Sequence, residues 1–299
     1  MSKSAIPESV FPTAKEDLGA AKFTPETPQT KSASYSLAYA DRDFLLRDEL
    51  RPVRLQLELL KPDLLQQENN IKSTIVIFGS ARIPDKKTAA ERVKQAEAKA
   101  MSNPGNASLA RRVDIARRIL SRTHYYDEAR ELARMITEDS QKNGICEHVV
   151  ITGGGPGIME AANRGADDVG GKSIGLNIVL PFEQQPNAYI TPELCFQFHY
   201  FAIRKMHFLK RARALIAYPG GFGTLDELFE TLTLIQTRKI KPVPVLLFGS
   251  EYWRRVINFD VLVEEGAIDE DDLQLFEFVD SAEEAWKIIK KHYTYNDAH

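Results

Sequence analysis

From Gly144 onward the chain alternates short apolar-rich runs with helical stretches, and that alternation restricts it to few architectures. Strand-like runs at His148–Thr152, Ser173–Ile178, Leu194–Phe198, Ala214–Tyr218 and Val243–Phe248 are interleaved with helical segments at Ile158 to about Asp168, Phe201–Arg213 and Leu225 to about Arg238. Helices over Glu251–Glu265 and Ser281–His292 close the chain. Upstream, Thr74–Phe78 is a compact apolar run of the kind buried on both faces, and Gly79 and Ser80 follow it directly. Parallel strands need crossover connections, and helices supply them.

The predicted fold is therefore α/β, a Rossmann-like doubly wound parallel sheet with helices on both faces and an N-terminal helical extension. Residues 1–40, with Pro7, Pro12, Pro25 and Pro28 among polar residues, read as an irregular or disordered tail. Residues 41–70 space Leu and Phe at helical intervals broken by Pro52 and Pro62, which predicts short amphipathic helices. Residues 71–293 form the expected main domain, with a helical insert of two or three helices over about 85–143.

Composition removes several functions. Apolar residues at 43% and charged residues at 27% exclude wholesale disorder and fibrous folds. The 39 Lys and Arg against 42 Asp and Glu give a net charge of -3, which provides no global attraction for nucleic acid or anionic membranes. Cys146 and Cys195 stand apart with no CxxC, and the histidines show no ligand spacing, so no metal is expected. No signal segment or apolar span is evident, and the expected location is cytoplasmic, without membrane partners.

The chemistry falls on two glycine loops, each between a strand and a helix, where an open α/β sheet binds ligands. Gly153, Gly154, Gly155 and Gly157 fit a backbone anion site, but Glu160 and Ile158 stand where a GxGxxG motif needs its last small residue. The strand that follows ends in Asn177 and Ile178 without the acidic residue that holds an adenosine ribose, which weighs against NAD(P). The near-Walker stretch GADDVGGKS also fails, because Lys172 and Ser173 precede a strand. Pro219-Gly220-Gly221-Phe222-Gly223-Thr224 is more informative: its amides and the Thr224 hydroxyl can surround a phosphate. Glu227, three residues on, reads either as half of a capping box with Thr224 or as a carboxylate near a bound sugar. Arg204 and Lys205, in a basic run with His207, Lys210, Arg211 and Arg213, read as a solvated face or as the cationic part of the same site.

PGGFGTLDE, with the upstream Arg204-Lys205 pair and the GGGPGIME loop, resembles the Lonely Guy (LOG) family of nucleoside 5'-monophosphate phosphoribohydrolases, many of which carry the label "lysine decarboxylase-like". The resemblance covers roughly residues 71–293 and is strongest over 148–250. It implies a Rossmann-like homodimer that hydrolyses the N-glycosidic bond of AMP or a cytokinin riboside 5'-monophosphate without a cofactor. It assigns catalysis to Glu227 and Arg204. Substrate binding falls to Gly79, Ser80, Gly153, Gly154, Gly155, Met159 and Lys205, and to the turn residues Pro219, Gly220, Gly221, Gly223 and Thr224.

Departures bear on the base. Phe201-Ala202-Ile203-Arg204-Lys205 stands where compact plant-type members read Met-His-x-Arg-Lys, the GGGPGIMEAANRGA loop is closer to larger bacterial nucleotide nucleosidases, and the helical insert exceeds that of compact members. A nucleotide sensor without catalysis and a redox enzyme are the competing readings.

Overall fold

The computed structural model describes residues 11–142, 144–181 and 185–296. The chain divides into two compact units, residues 1–58 and 59–299. Residues 1–10 of the expected tail lie outside the described residues. The rest of the first unit contains α1 (Ala14–Ala20) and α2 (Arg42–Leu45). Thr13 and Glu16 start α1 with a reciprocal capping box. The unit boundary falls inside α3 (Arg51–Glu68), which runs as one helix where two prolines predict short ones. Pro52 sits in its first turn, where a missing N–H costs nothing, and Pro62 is accommodated in the interior.

The second unit begins with β1 (Ile71–Phe78), followed by α4 (Lys86–Met101), α5 (Ala107–Leu120) and α6 (His124–Ser140). The short β2 (Gln141–Lys142) turns back on β3 (Ile145–Thr152). Next come α7 (Ile158–Asp167), β4 (Ser173–Ile178), β5 (Cys195–Phe198), α8 (Phe201–Lys210) and β6 (Ala212–Ala217). The chain ends through α9 (Phe222–Gln236), β7 (Val245–Phe248), α10 (Ser250–Val256), α11 (Phe259–Glu264), β8 (Glu277–Val279) and α12 (Ala282–Asn296). The helix expected over Glu251–Glu265 is thus two helices, with Ile257 extended between them.

The sheet has eight strands in the order β5-β4-β3-β1-β6-β7-β8, with β2 paired to β3 outside this path. All pairings except β2–β3 are parallel. Side-chain alternation divides β1 between two cores: Ile75 and Ile77 pack with α6, α7 and α12, while Val76 and Phe78 pack with Phe208, Leu228 and Trp253 on the other face. From β1 the chain winds outward through β3, β4 and β5, then returns to place β6 on the other side of β1. Connections diverge there, so the carboxyl ends of β1 and β6 open a crevice.

Candidate functional site

The loops after β1 and β6 are tied together across that crevice: Ser80 N–H donates to Pro219 O at 3.0 Å and Tyr218 N–H to Phe78 O at 2.8 Å. Between them is a cavity of about 720 Å³. Gly79 and Ser80 line it after β1, Gly153 and Met159 after β3, and Pro219, Gly220, Gly221, Gly223 and Thr224 after β6. Arg204 and Glu227 line the same cavity. Gly154, Gly155 and Lys205 do not.

The turn after β6 is shorter than the sequence predicts. Gly221 is the N-cap of α9, with no side-chain cap, and the helix starts at Phe222 instead of Leu225. This overturns the capping-box reading of Thr224 and Glu227, because both lie inside the helix. The first amides of a helix have no intrahelical acceptor, and the first residues of α9 line the cavity, an arrangement that can accept an anion. A Cβ at Gly220 would lie 2.1 Å from Thr224 Oγ1, so only glycine lets the turn close on that hydroxyl. Tyr252 Oη braces the turn by donating to Gly220 O at 2.5 Å.

Glu227 lies on the buried stripe of α9 with Thr224, Leu228, Thr231 and Ile235, and is 7% exposed. Burial pushes its carboxyl up to about 7 from 4.5, against the pull of Arg204 and Lys205. Arg204 comes from α8, and burial lowers its pKa while Glu227 opposes the shift. Its Nε donates to Leu176 O at 2.7 Å, and its guanidinium lies 4.9 Å from the Phe208 ring centroid. A Cβ at Gly153 would meet Arg204 Nη2 at 2.8 Å, so this glycine makes room for the guanidinium. Arg204 Nη1 and Glu227 Oε1 are 3.9 Å apart. That is an ion pair too long for a hydrogen bond, and it leaves both groups open to a third.

Lys205 instead bridges Asp226 and Glu230, each at 2.9 Å, and so staples α8 to α9. Gly154 and Gly155 form the back of their loop, where Asn187 Nδ2 donates to both carbonyls at 3.2 and 3.1 Å. The rest of the basic run disperses. His207 is buried, Lys210 and Arg211 pair with Asp63 at 2.7 and 2.6 Å, and Arg213 stacks on Tyr293. The helix itself ends at Lys210, short of the expected Arg213. Sequence reading missed Arg82, Arg122, Phe201 and Tyr252, all on the cavity wall. They come from the β1 loop, the helical insert, α8 and α10, and no motif marks them.

Fold and site together define a class: a Rossmann-type α/β protein whose switch-point crevice joins an anion-ready helix start to a buried carboxylate and guanidinium. The chain is also similar to several known proteins. A family model described as "Possible lysine decarboxylase" matches residues 159–289. The cytokinin riboside 5'-monophosphate phosphoribohydrolase LOG4 of Arabidopsis thaliana is 33% identical over 156 residues, 50% of this chain and 69% of that protein. The probable phosphoribohydrolase LOGL3 of Oryza sativa subsp. japonica is 28% identical over 188 residues, 59% of this chain and 81% of its own. The probable LOG4 enzyme of the same rice is 32% identical over 139 residues, 46% of this chain and 59% of its own. Among solved structures, the Moco carrier protein from Chlamydomonas reinhardtii matches 75% of this chain and 99% of its own at 19% identity and a TM-score of 0.42, a likeness too loose to bear on function. The chain belongs to the LOG phosphoribohydrolase family.

Proposed function

We propose that this protein hydrolyses the N-glycosidic bond of a nucleoside 5'-monophosphate, AMP or a cytokinin riboside 5'-monophosphate, to free base and ribose 5-phosphate. The observation that carries the reading is the buried Glu227 carboxylate, in the same cavity as the glycine turn and 3.9 Å from Arg204. The turn seats the phosphate, and this non-reacting group positions the sugar beside Glu227. Cleavage of the C–N bond builds positive charge on the ribose and negative charge on the departing base. Glu227 stabilises the ribosyl cation and orients or deprotonates the attacking water, while Arg204 stabilises the negative charge or fixes the nucleotide. Water adds its oxygen to the anomeric carbon, and its protons end on the new hydroxyl and the released base.

Among the described residues no lysine lines the cavity, and Lys205 is held by two carboxylates. The decarboxylase description therefore finds no free amine to work with. The homodimer implied by the family resemblance belongs to the same proposal and is read from the mass in solution. The central test is chromatographic detection of base and ribose 5-phosphate from a panel of monophosphates. The expected result is release from the parent chain and a loss of about 10²-fold or more in Glu227→Gln. Unchanged turnover in that variant sinks the assignment. Tight nucleotide binding without base release would instead make the protein a sensor.

A further inference from the structure

The charges around the cavity that holds Glu227 do not balance. Arg82, Arg122 and Arg204 line it together with two carboxylates, Asp226 and Glu227. Each carboxylate already faces a cation: Lys205 holds Asp226 at 2.9 Å, and Arg204 lies 3.9 Å from Glu227. Arg82 and Arg122 are therefore left over, and neither forms an ion pair among the described residues. A cavity wall with two uncompensated guanidiniums favours an anionic ligand.

The two spare arginines are not equivalent. Arg82 is exposed on the loop after β1, where only its backbone N–H is engaged, donating to Ser80 Oγ at 3.1 Å. Arg122 is half-buried in the turn between α5 and α6 of the helical insert. Its guanidinium carbon lies 5.5 Å from the Tyr252 ring centroid, and Tyr252 Oη donates to Gly220 O at 2.5 Å. One aromatic side chain thus joins Arg122 to the glycine turn. Stacking uses the face of a guanidinium and leaves the fork of N–H donors along its edge open.

The turn alone does not neutralise a phosphate. A phosphate monoester carries about -1.5 to -2 charges at neutral pH, whereas a helix start offers roughly half an elementary positive charge. A full cation beside the turn supplies what is missing, and guanidinium forks match phosphate oxygens in pairs. A free nucleoside has no group to place there, so such a cation raises affinity for the phosphorylated ligand alone.

We propose that Arg122 is a substrate-binding residue that clamps the 5'-phosphate against the Gly220–Thr224 turn, and so makes the chain select a nucleoside 5'-monophosphate over the free nucleoside. The helical insert thereby completes a phosphate seat that the glycine loops only begin. The inference rests on the proposed role of that turn in seating the phosphate.

Calorimetric titration with AMP and with adenosine tests it, in a Glu227→Gln background that spares AMP from cleavage. In that background Arg122→Gln should weaken AMP binding about tenfold or more, the loss of one charge-assisted pair, and leave adenosine binding unchanged. Arg122→Lys should recover part of the loss, because it restores the charge without the fork. Arg118→Ala, on the same insert but outside the cavity, should bind both ligands as the background does. AMP affinity that survives Arg122→Gln overturns the assignment, and so does an equal loss for AMP and adenosine, which marks a structural role. The two readings fail separately: AMP selectivity that depends on Arg122 in a parent chain that releases no base removes only the hydrolase, and base release with selectivity untouched by Arg122→Gln removes only the clamp.

Discussion

Glu227 is an acidic side chain on the stripe of α9 that faces the core, and its environment sets its proton affinity. Asp226 and Glu230 on the same helix repel its charge, Arg204 and Lys205 attract it, and loss of water outweighs them all. In the unfolded chain the group titrates near 4.5 and in the folded protein near 7, so between these values the native state holds the extra proton. Stability from this group is full below the lower value and is lost as pH rises through the upper one. Glutamine does not titrate, so Glu227→Gln should gain on the parent chain as pH is raised from 4.5 through 7, by roughly 3 kcal/mol at about 1.4 kcal/mol per unit. Urea unfolding of both proteins at several pH values measures the difference, and a pH-independent difference would mean that the carboxyl is not shifted. Turnover by the ionised carboxylate should rise over the same interval. The sequence marked Glu227 through its spacing from the glycine turn. It could not decide between cap and catalyst, because that depends on where α9 begins.

At the scale of elements, the β3–α7 connection shows how a glycine loop is held. Asn163 on α7 is fully buried; its Oδ1 accepts from Thr152 Oγ1 at 2.7 Å and from Asn187 Nδ2 at 2.9 Å, and its Nδ2 donates to Ser173 Oγ at 3.0 Å. Gly154 N–H in turn donates to Thr152 Oγ1 at 3.0 Å. Gly154 at φ 75° and Gly157 at φ 74° adopt backbone that other residues enter only with strain, so the loop's shape and its polar braces depend on each other. Asn163→Leu should cost about 2–4 kcal/mol, because it leaves several buried polar atoms unpaired, and should also lower turnover by loosening Gly153 beneath Arg204. Denaturant titration beside the activity assay checks both effects, and a cost below about 1 kcal/mol would show that the network is incidental. The glycines were legible in the sequence. Their braces were not, because Asn163, Ser173 and Asn187 belong to separate segments that only the folded sheet brings together.

For the whole molecule, strand and helix alternation made the parallel sheet legible, and β-branched runs located its central strands. The walls supplied by the insert and α10 were illegible, since helical periodicity does not tell which crevice a helix borders. The outer face of α9 adds a further constraint. Phe222 is 92% exposed and Phe229 38%, and Leu225 lies between them on the same groove. On α8, Phe201 and Met206 are 54% and 53% exposed. Exposed apolar side chains along α9 predict a surface that associates. A two-fold partner would apply the same stripe to itself, and Phe222 also lines the proposed nucleotide cavity, so the contact would help close it. Light scattering should therefore return twice the 33.7 kDa of one chain. Phe222→Ser/Phe229→Ser should return the mass of one chain and bind nucleotide more weakly, because the mouth of the cavity is left open to water. A parent protein that remains at 33.7 kDa at micromolar concentration rules out the pairing and assigns the exposed phenylalanines of α9 another role.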